Sequence, residues 1–113
     1  GNSIDKETLE TLSANIGGAD NLRRIVVMYT GKLPAEIENL RSALHQGDFQ
    51  AVREGAHRLK SSSGQLGAAR LSVMLAGLEE SAGEADPAVS DRILGEVEIE
   101  ADLVGQELEA IST

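Results

Sequence analysis

The chain has 113 residues, of which 41% are hydrophobic and only 2% are aromatic, and this length allows one domain with one packed core. A core of Leu, Ile, Val, Ala and Met favours packed helices over sheets, in which aromatic and β-branched residues are enriched. The net charge of −9 argues against nucleic-acid binding. The sequence has no cysteine, which excludes disulfides and thiolate metal sites.

No segment of the sequence indicates a membrane span or an export signal. Apolar runs stay well short of the roughly 20 residues that cross a bilayer, and no signal peptide is visible. We therefore expect a cytoplasmic protein without direct membrane contact. We also expect residues 1–113 to form a single domain, with 1–3 as a remnant of cloning.

The first two predicted helices are separated by a pair of glycines. Apolar residues at helical spacing predict a short helix over 5–16, which ends at 17–18. The same spacing predicts a second helix from 20 to about 46. Pro34 interrupts this pattern, and because proline lacks an N–H and clashes with the preceding turn, we expect a kink or a break near 31–34.

Three more helices are predicted over about 49–66, 68–82 and 88–111, with a loop at 83–87. Four residues of the third helix share an arc that faces the core: Val52, Ala56, Leu59 and Ser63. His57 lies about 130° from the centre of that arc. Apolar residues of the last helix alternate at spacings typical of bundle packing: Val97, Ala101, Val104, Leu108 and Ile111. With no strand predicted, the fold class is all-α.

Charge is distributed unevenly along the chain. Residues 79–113 hold eleven acidic residues and one basic residue, which is typical of a solvated helix face. Residues 51–70, by contrast, hold four basic residues and one acidic residue. This local basic segment surrounds His57.

Small and basic side chains surround His57 on its helix. On the helical wheel, Lys60, Ser61 and Gly64 share the face of His57, and Arg53 lies one turn before it. The small residues leave the imidazole open to a large partner. Gly64 costs the helix about 1 kcal/mol relative to Ala, and access to the histidine is a physical reason to accept that loss.

An exposed imidazole in this setting suits phosphoryl transfer. The neutral ring, which dominates near pH 7, can attack an electrophilic phosphorus and form a phosphoramidate. Lys60 and Arg53 flank the ring and are placed to hold phosphoryl oxygens. The sequence shows no Gly-rich nucleotide loop and no carboxylate pair near His57. These features predict a phosphoryl carrier rather than an autonomous enzyme.

The segment 57–68, HRLKSSSGQLGA, resembles the histidine-containing phosphotransfer (HPt) domain of bacterial two-component phosphorelays. The resemblance extends over nearly the whole chain. It includes LRSAL at 40–44, GD at 47–48 and four later residues: Leu71, Leu75, Leu78 and Glu79. It implies an antiparallel four-helix bundle with an additional short N-terminal helix.

The resemblance also implies a role for His57. It would accept a phosphoryl group on Nε2 from the aspartyl phosphate of a response-regulator receiver domain and pass it to another receiver. Lys60 matches the basic residue near the phosphate, and Gly64 matches the small residue that leaves room for the receiver. The position after the lysine is usually Gly in this family, and Ser61 stands there in this chain. We expect this departure to be tolerated.

The expected partners are receiver domains and a hybrid sensor histidine kinase. We expect no nucleic acid among them, and no cofactor or metal on this chain, because the Mg²⁺ belongs to the receiver. The expected oligomeric state is a monomer. Docking is expected to use an apolar patch beside His57 on the first two helices, with four candidates: Leu9, Leu12, Ile16 and Val27.

Two other functions fit the same residues. One is a docking bundle that binds a receiver without accepting phosphate. The other is the phospho-accepting domain of a chemotaxis-type histidine kinase, labelled from ATP by a neighbouring kinase domain. His45, at the end of the second helix, is predicted to be a structural or surface residue. A turn separates it from His57 and no third ligand is apparent, so no metal site is predicted.

Overall fold

The computed structural model describes residues 2–112, which form five helices: α1 (Lys6–Asn15), α2 (Ala19–His45), α3 (Phe49–Gln65), α4 (Ala69–Gly83) and α5 (Pro87–Ser112). Helix α3 packs against α2 and α4, and α5 packs against the other sides of α2 and α4. Because turns of three residues join successive helices, α2–α5 form an antiparallel four-helix bundle. Helix α1 packs against α2 and α3 as the additional N-terminal helix. The predicted fold class is confirmed.

Helix α2 continues through its proline. We expected a kink or a break near 31–34, but the helix runs without interruption from Ala19 to His45, so the prediction of a break is wrong. Pro34 is exposed, while Leu33 and Ile37 beside it are buried in the core. One proline costs a helix about 3 kcal/mol, and the packing of the long apolar face of α2 outweighs that loss.

The core faces of α3 and α5 follow the predicted pattern. All four predicted residues of α3, from Val52 to Ser63, are buried. On α5 the predicted seam is buried from Val97 to Leu108, whereas Ile111 in the last turn is 43% exposed. The outer face of α3 is therefore the face that carries His57.

The N-terminal segment is fixed to the end of the bundle. The backbone N–H groups of Ser3 and Ile4 donate to the Glu107 carboxylate of α5, at 3.3 and 3.0 Å. The N–H of Asp5 donates to the carbonyl of Gly67 in the α3–α4 turn, at 2.8 Å. A Cβ at Gly67 would lie 2.6 Å from the Asp5 carbonyl oxygen, so this approach requires glycine.

A buried hydroxyl pair joins α2 to α3. Tyr29 is 9% exposed and Ser63 is fully buried, and their side-chain oxygens lie 2.6 Å apart. Burial raises the pKa of Tyr29 to about 12, although the hydrogen bond with Ser63 acts in the opposite direction. The phenol therefore stays protonated at neutral pH and the hydrogen bond persists.

Tyr29 is the only tyrosine of a chain without tryptophan, so phenolate absorbance reports on this pair alone. We expect the phenol to titrate near pH 12 in the folded protein and near pH ~10 in urea. Because the folded pKa is the higher one, its contribution to stability is complete below about pH 10 and is lost as the pH rises towards 12. A folded-state titration near pH ~10 would contradict the buried position.

The turn after α4 contains a strained residue. Gly47 and Gly67 occupy the left-handed conformation after α2 and α3, with φ of 72° and 83°, but Ala85 occupies it after α4, with φ of 52°. The Ala85 N–H donates to the carbonyl of Ala82, and the next N–H donates to the carbonyl of Ser81, as at the glycine-terminated ends of α2 and α3. A Cβ in this conformation costs about 1–2 kcal/mol.

Ala85→Gly is expected to raise the free energy of unfolding by about 0.5–1 kcal/mol, because relief of strain exceeds the entropy that glycine adds to the unfolded chain. Urea denaturation measures this change. The matched control is Ala76→Gly on the exposed face of α4, which is expected to lower the same quantity by about 1 kcal/mol. Equal losses in both variants would show that the turn is not strained.

Candidate functional site

His57 projects from the outer face of α3. Its neighbour Ala56 is fully buried, whereas the side chain of His57 is 61% exposed. The imidazole lines an open groove between α3 and α4, together with Arg53 of α3 and with Ala82 and Gly83 of α4. Apart from Glu79, the residues of α4 that line this groove are small, so the ring is accessible to a macromolecule.

The Glu79 carboxylate of α4 contacts both His57 and Lys60 of α3. The Nδ1 atom of His57 lies 2.9 Å from Oε2 of Glu79, and Nζ of Lys60 donates to Oε1 of the same residue at 2.8 Å. The hydrogen bond from Lys60 lowers the pKa of Glu79, and the contact with His57 adds to this effect, while burial opposes it. Glu79 is therefore ionised at neutral pH.

This contact decides which ring nitrogen is available. An ionised carboxylate only accepts hydrogen bonds, so the Nδ1 atom of His57 must carry the proton in its contact with Glu79. In the neutral ring, Nε2 then keeps its lone pair. Since Nδ1 is directed at α4, the nucleophilic nitrogen is the one left for a partner.

The other predicted site residues occupy three different environments. Lys60 is paired with Glu79. Arg53 lines the groove, and its Nε atom is so close to Gly83 that a Cβ built on this glycine would lie 3.8 Å from it. Ser61 is exposed, and its hydroxyl makes no hydrogen bond to the part of the chain that the structure describes.

Gly64 faces α4 rather than the groove. A Cβ built on it would lie 3.4 Å from Oγ of Ser72, and that hydroxyl donates to the Lys60 carbonyl at 3.2 Å. The small residue therefore has a packing role between α3 and α4, next to the backbone that carries Lys60.

Glu79 is the site residue that the sequence analysis missed. It was noted as part of the motif, but no role was assigned to it. A signal did exist: two antiparallel helices joined by a tight turn bring together residues at equal distances from that turn. His57 and Glu79 lie about equally far from the turn at 66–68.

An apolar groove lies on the other side of α3. Leu12 of α1, Ile25 and Met28 of α2 and Gln65 of α3 contribute to its lining. Of the candidates named for docking, Leu9 is buried, Leu12 and Ile16 are half-buried, and Val27 is 58% exposed. Met28, which also lines the groove, is 60% exposed, more than Ile25 at 38%, and was not among those candidates.

Three comparisons with known proteins bear on this arrangement. The sequence model of the Hpt domain family matches residues 24–112. The chain is an Hpt domain. Its function is therefore histidine phosphotransfer, as members of this family are phosphoryl-carrier modules of phosphorelays that work with response-regulator receivers.

The fold is similar to that of a solved Hpt protein. The crystal structure of histidine-containing phosphotransfer protein B from Pseudomonas aeruginosa PAO1 aligns with a TM-score of 0.90 and 24% identity, over 97% of this chain and 94% of that one. No curated protein matches the sequence. Within residues 2–112, no helix is long and apolar enough to cross a membrane, and no group of three or more His, Cys, Asp or Glu residues is arranged to hold a metal ion.

Proposed function

We propose that His57 accepts a phosphoryl group on Nε2 from the aspartyl phosphate of one receiver domain and passes it to another receiver. The observation that carries this proposal is the contact of Nδ1 with Glu79 at 2.9 Å. It directs one nitrogen at the protein and leaves the other accessible in an open groove. His45 ends α2 as an exposed residue and has no comparable partner in the described residues.

The transfer itself needs little more than positioning and charge neutralisation. The Nε2 lone pair forms the N–P bond, and the P–O bond to the aspartate breaks with its electron pair on the carboxylate. Arg53 and Arg58 line the groove beside His57 and are cations suited to phosphoryl oxygens. Lys60 is tied to Glu79, so it would have to leave that carboxylate to contact the phosphoryl group.

The proposal makes this chain a carrier that depends on its partners. The Mg²⁺ and the acidic pocket that activate the phosphoryl group would belong to the receiver. We propose that the domain works as a cytoplasmic monomer and that a hybrid sensor histidine kinase is one source of the phosphoryl group. The sequence supports the carrier role because it has no Gly-rich nucleotide loop.

His57→Gln is expected to abolish phosphorylation by a phosphorylated receiver in the presence of Mg²⁺, because glutamine has no nucleophilic ring nitrogen. Intact mass should show one phosphoryl group on the wild type that is stable in base and labile in acid. His45→Gln is the matched control and should be labelled like the wild type. Binding of receivers without any label on the wild type would instead favour a docking bundle.

Receiver docking is proposed to use the apolar groove that contains Met28. Apolar area with a polar rim is typical of protein interfaces, and the rim here includes Lys32 and Gln65. This groove and the His57 groove flank α3, and because a helix is only about 10–12 Å wide, an interface of about 800 Å² on this chain can extend over both.

Met28→Lys is expected to weaken receiver binding by about tenfold or more, since truncating or charging a central apolar contact costs more than about 1.4 kcal/mol. Ile99→Lys is the matched control: Ile99 is 68% exposed on α5, which does not pack against α3. Titration calorimetry of both variants with the same receiver measures the difference. Equal effects of the two substitutions would place docking elsewhere.

A further inference from the structure

We propose that Glu79 is a positioning residue that retains the proton on Nδ1 of His57 through phosphoryl transfer and thereby sets the pH at which the phosphoryl group is released. The inference rests on the proposed function, since it concerns the phosphorylated form of His57. It assigns to this carboxylate a task beyond orienting the ring.

The proton balance of the reaction shows why retention matters. When Nε2 forms the N–P bond, the ring becomes positively charged if Nδ1 keeps its proton. When a receiver carboxylate later attacks phosphorus, the O–P bond forms, the N–P bond breaks and its electron pair returns to Nε2. The ring then leaves as neutral imidazole. Without the Nδ1 proton it would leave as an imidazolate anion, which is a far poorer leaving group.

Glu79 is placed to stabilise the charged ring in both directions. Its Oε2 contacts Nδ1 at 2.9 Å, and a hydrogen bond between a cationic donor and a carboxylate is about twice as strong as a neutral one. Lys60 on the other oxygen, at 2.8 Å, keeps the carboxylate ionised. This second contact explains why the acid does not simply take the proton from the ring.

The remaining charges around the ring do not duplicate this effect. The charged side chains in the groove or at its edge come from α3 and α4: Arg53, Glu54, Arg58, Lys60 and Glu79. The three cations disfavour a protonated ring, and Glu54 accepts a hydrogen bond from Gln50. Helices α2 and α5 contribute no residue to the lining of this groove. Among these groups, Glu79 is the acid in contact with the imidazole.

The test follows the loss of the phosphoryl group from His57 as a function of pH. The protein is phosphorylated with potassium phosphoramidate, which needs no partner, and the label is followed by intact mass between about pH 5 and 9. In Glu79→Gln the neutral amide can accept the same hydrogen bond without stabilising the positive charge. We expect the midpoint of the release profile to fall by about one pH unit, which slows release about tenfold on the alkaline side.

Glu80→Gln is the matched control, because Glu80 is the exposed neighbour of Glu79 on α4; it is expected to keep the wild-type profile. A merely structural role of Glu79 would change labelling at every pH without moving the midpoint. An unchanged midpoint in Glu79→Gln, with the wild type labelled on His57, overturns this inference alone. A wild type that takes no label on His57, from phosphoramidate or from a receiver, contradicts the proposed function as well.

A second measurement does not depend on any variant. The ¹⁵N resonances of the unphosphorylated His57 ring report which nitrogen carries the proton. We expect the proton on Nδ1 and the lone pair on Nε2 in the wild type. A ring that carries its proton on Nε2 would overturn the inference, and with it the proposed attack by Nε2, even if the Glu79 variants fail to fold.

Discussion

The close packing of α3 against α4 is the constraint on which the site depends. Gly64 faces Ser72 where the two helices approach, so that a Cβ on Gly64 would lie 3.4 Å from Oγ of Ser72, and the Ser72 hydroxyl donates to the backbone carbonyl of Lys60. Further along the same pair of helices, Glu79 spans the gap to His57. A Cβ at Gly64 would already be at van der Waals distance from Ser72, so a longer side chain directed at α4 would separate the helices. Because hydrogen bonds are short-range, a small separation would release the imidazole from Glu79.

Two buried hydroxyl pairs fix how α3 and α4 are aligned with their other neighbours, α2 and α5. Tyr29 pairs with Ser63 between α2 and α3, and Ser81 pairs with Ser90 at 2.7 Å between α4 and α5. Leucine-rich faces tolerate sliding, whereas a slide of one helical turn, about 5.4 Å, would leave these hydroxyls buried and unpaired. Each unpaired group costs about 1–3 kcal/mol. A slide of α3 along α2, or of α4 along α5, would also shift one of the two helices that carry His57 and Glu79, so the polar pairs help to preserve the site's geometry.

Local patterns in the sequence were sufficient for most of the fold. The helices, the buried arc that includes Val52 and the outward position of His57 follow from apolar spacing, because that spacing directly reflects which face is buried. The break at Pro34 was wrong because a local penalty was weighed without the packing of the whole helix. Glu79 was missed because its role arises between two helices, 22 residues apart along the chain, where single-helix patterns carry no information.

The distribution of charge gives an acidic protein a face that suits an anionic group. Arg53, Arg58 and Lys60 lie on α3 around His57, whereas the acidic residues that dominate the net charge are concentrated from residue 79 onwards, largely on α5, diagonally opposite α3. Because exposed charges are screened within about 8–10 Å at physiological salt, a partner at the His57 groove experiences the local cations more than the distant acids. Glu54 and Glu79 are the acids that line the groove, and the charge of Glu79 is partly neutralised by Lys60. Because Glu79 is paired with Lys60, it can accept the hydrogen bond from the protonated Nδ1 without strongly repelling the phosphoryl group. An unpaired acid at the same position would repel that group.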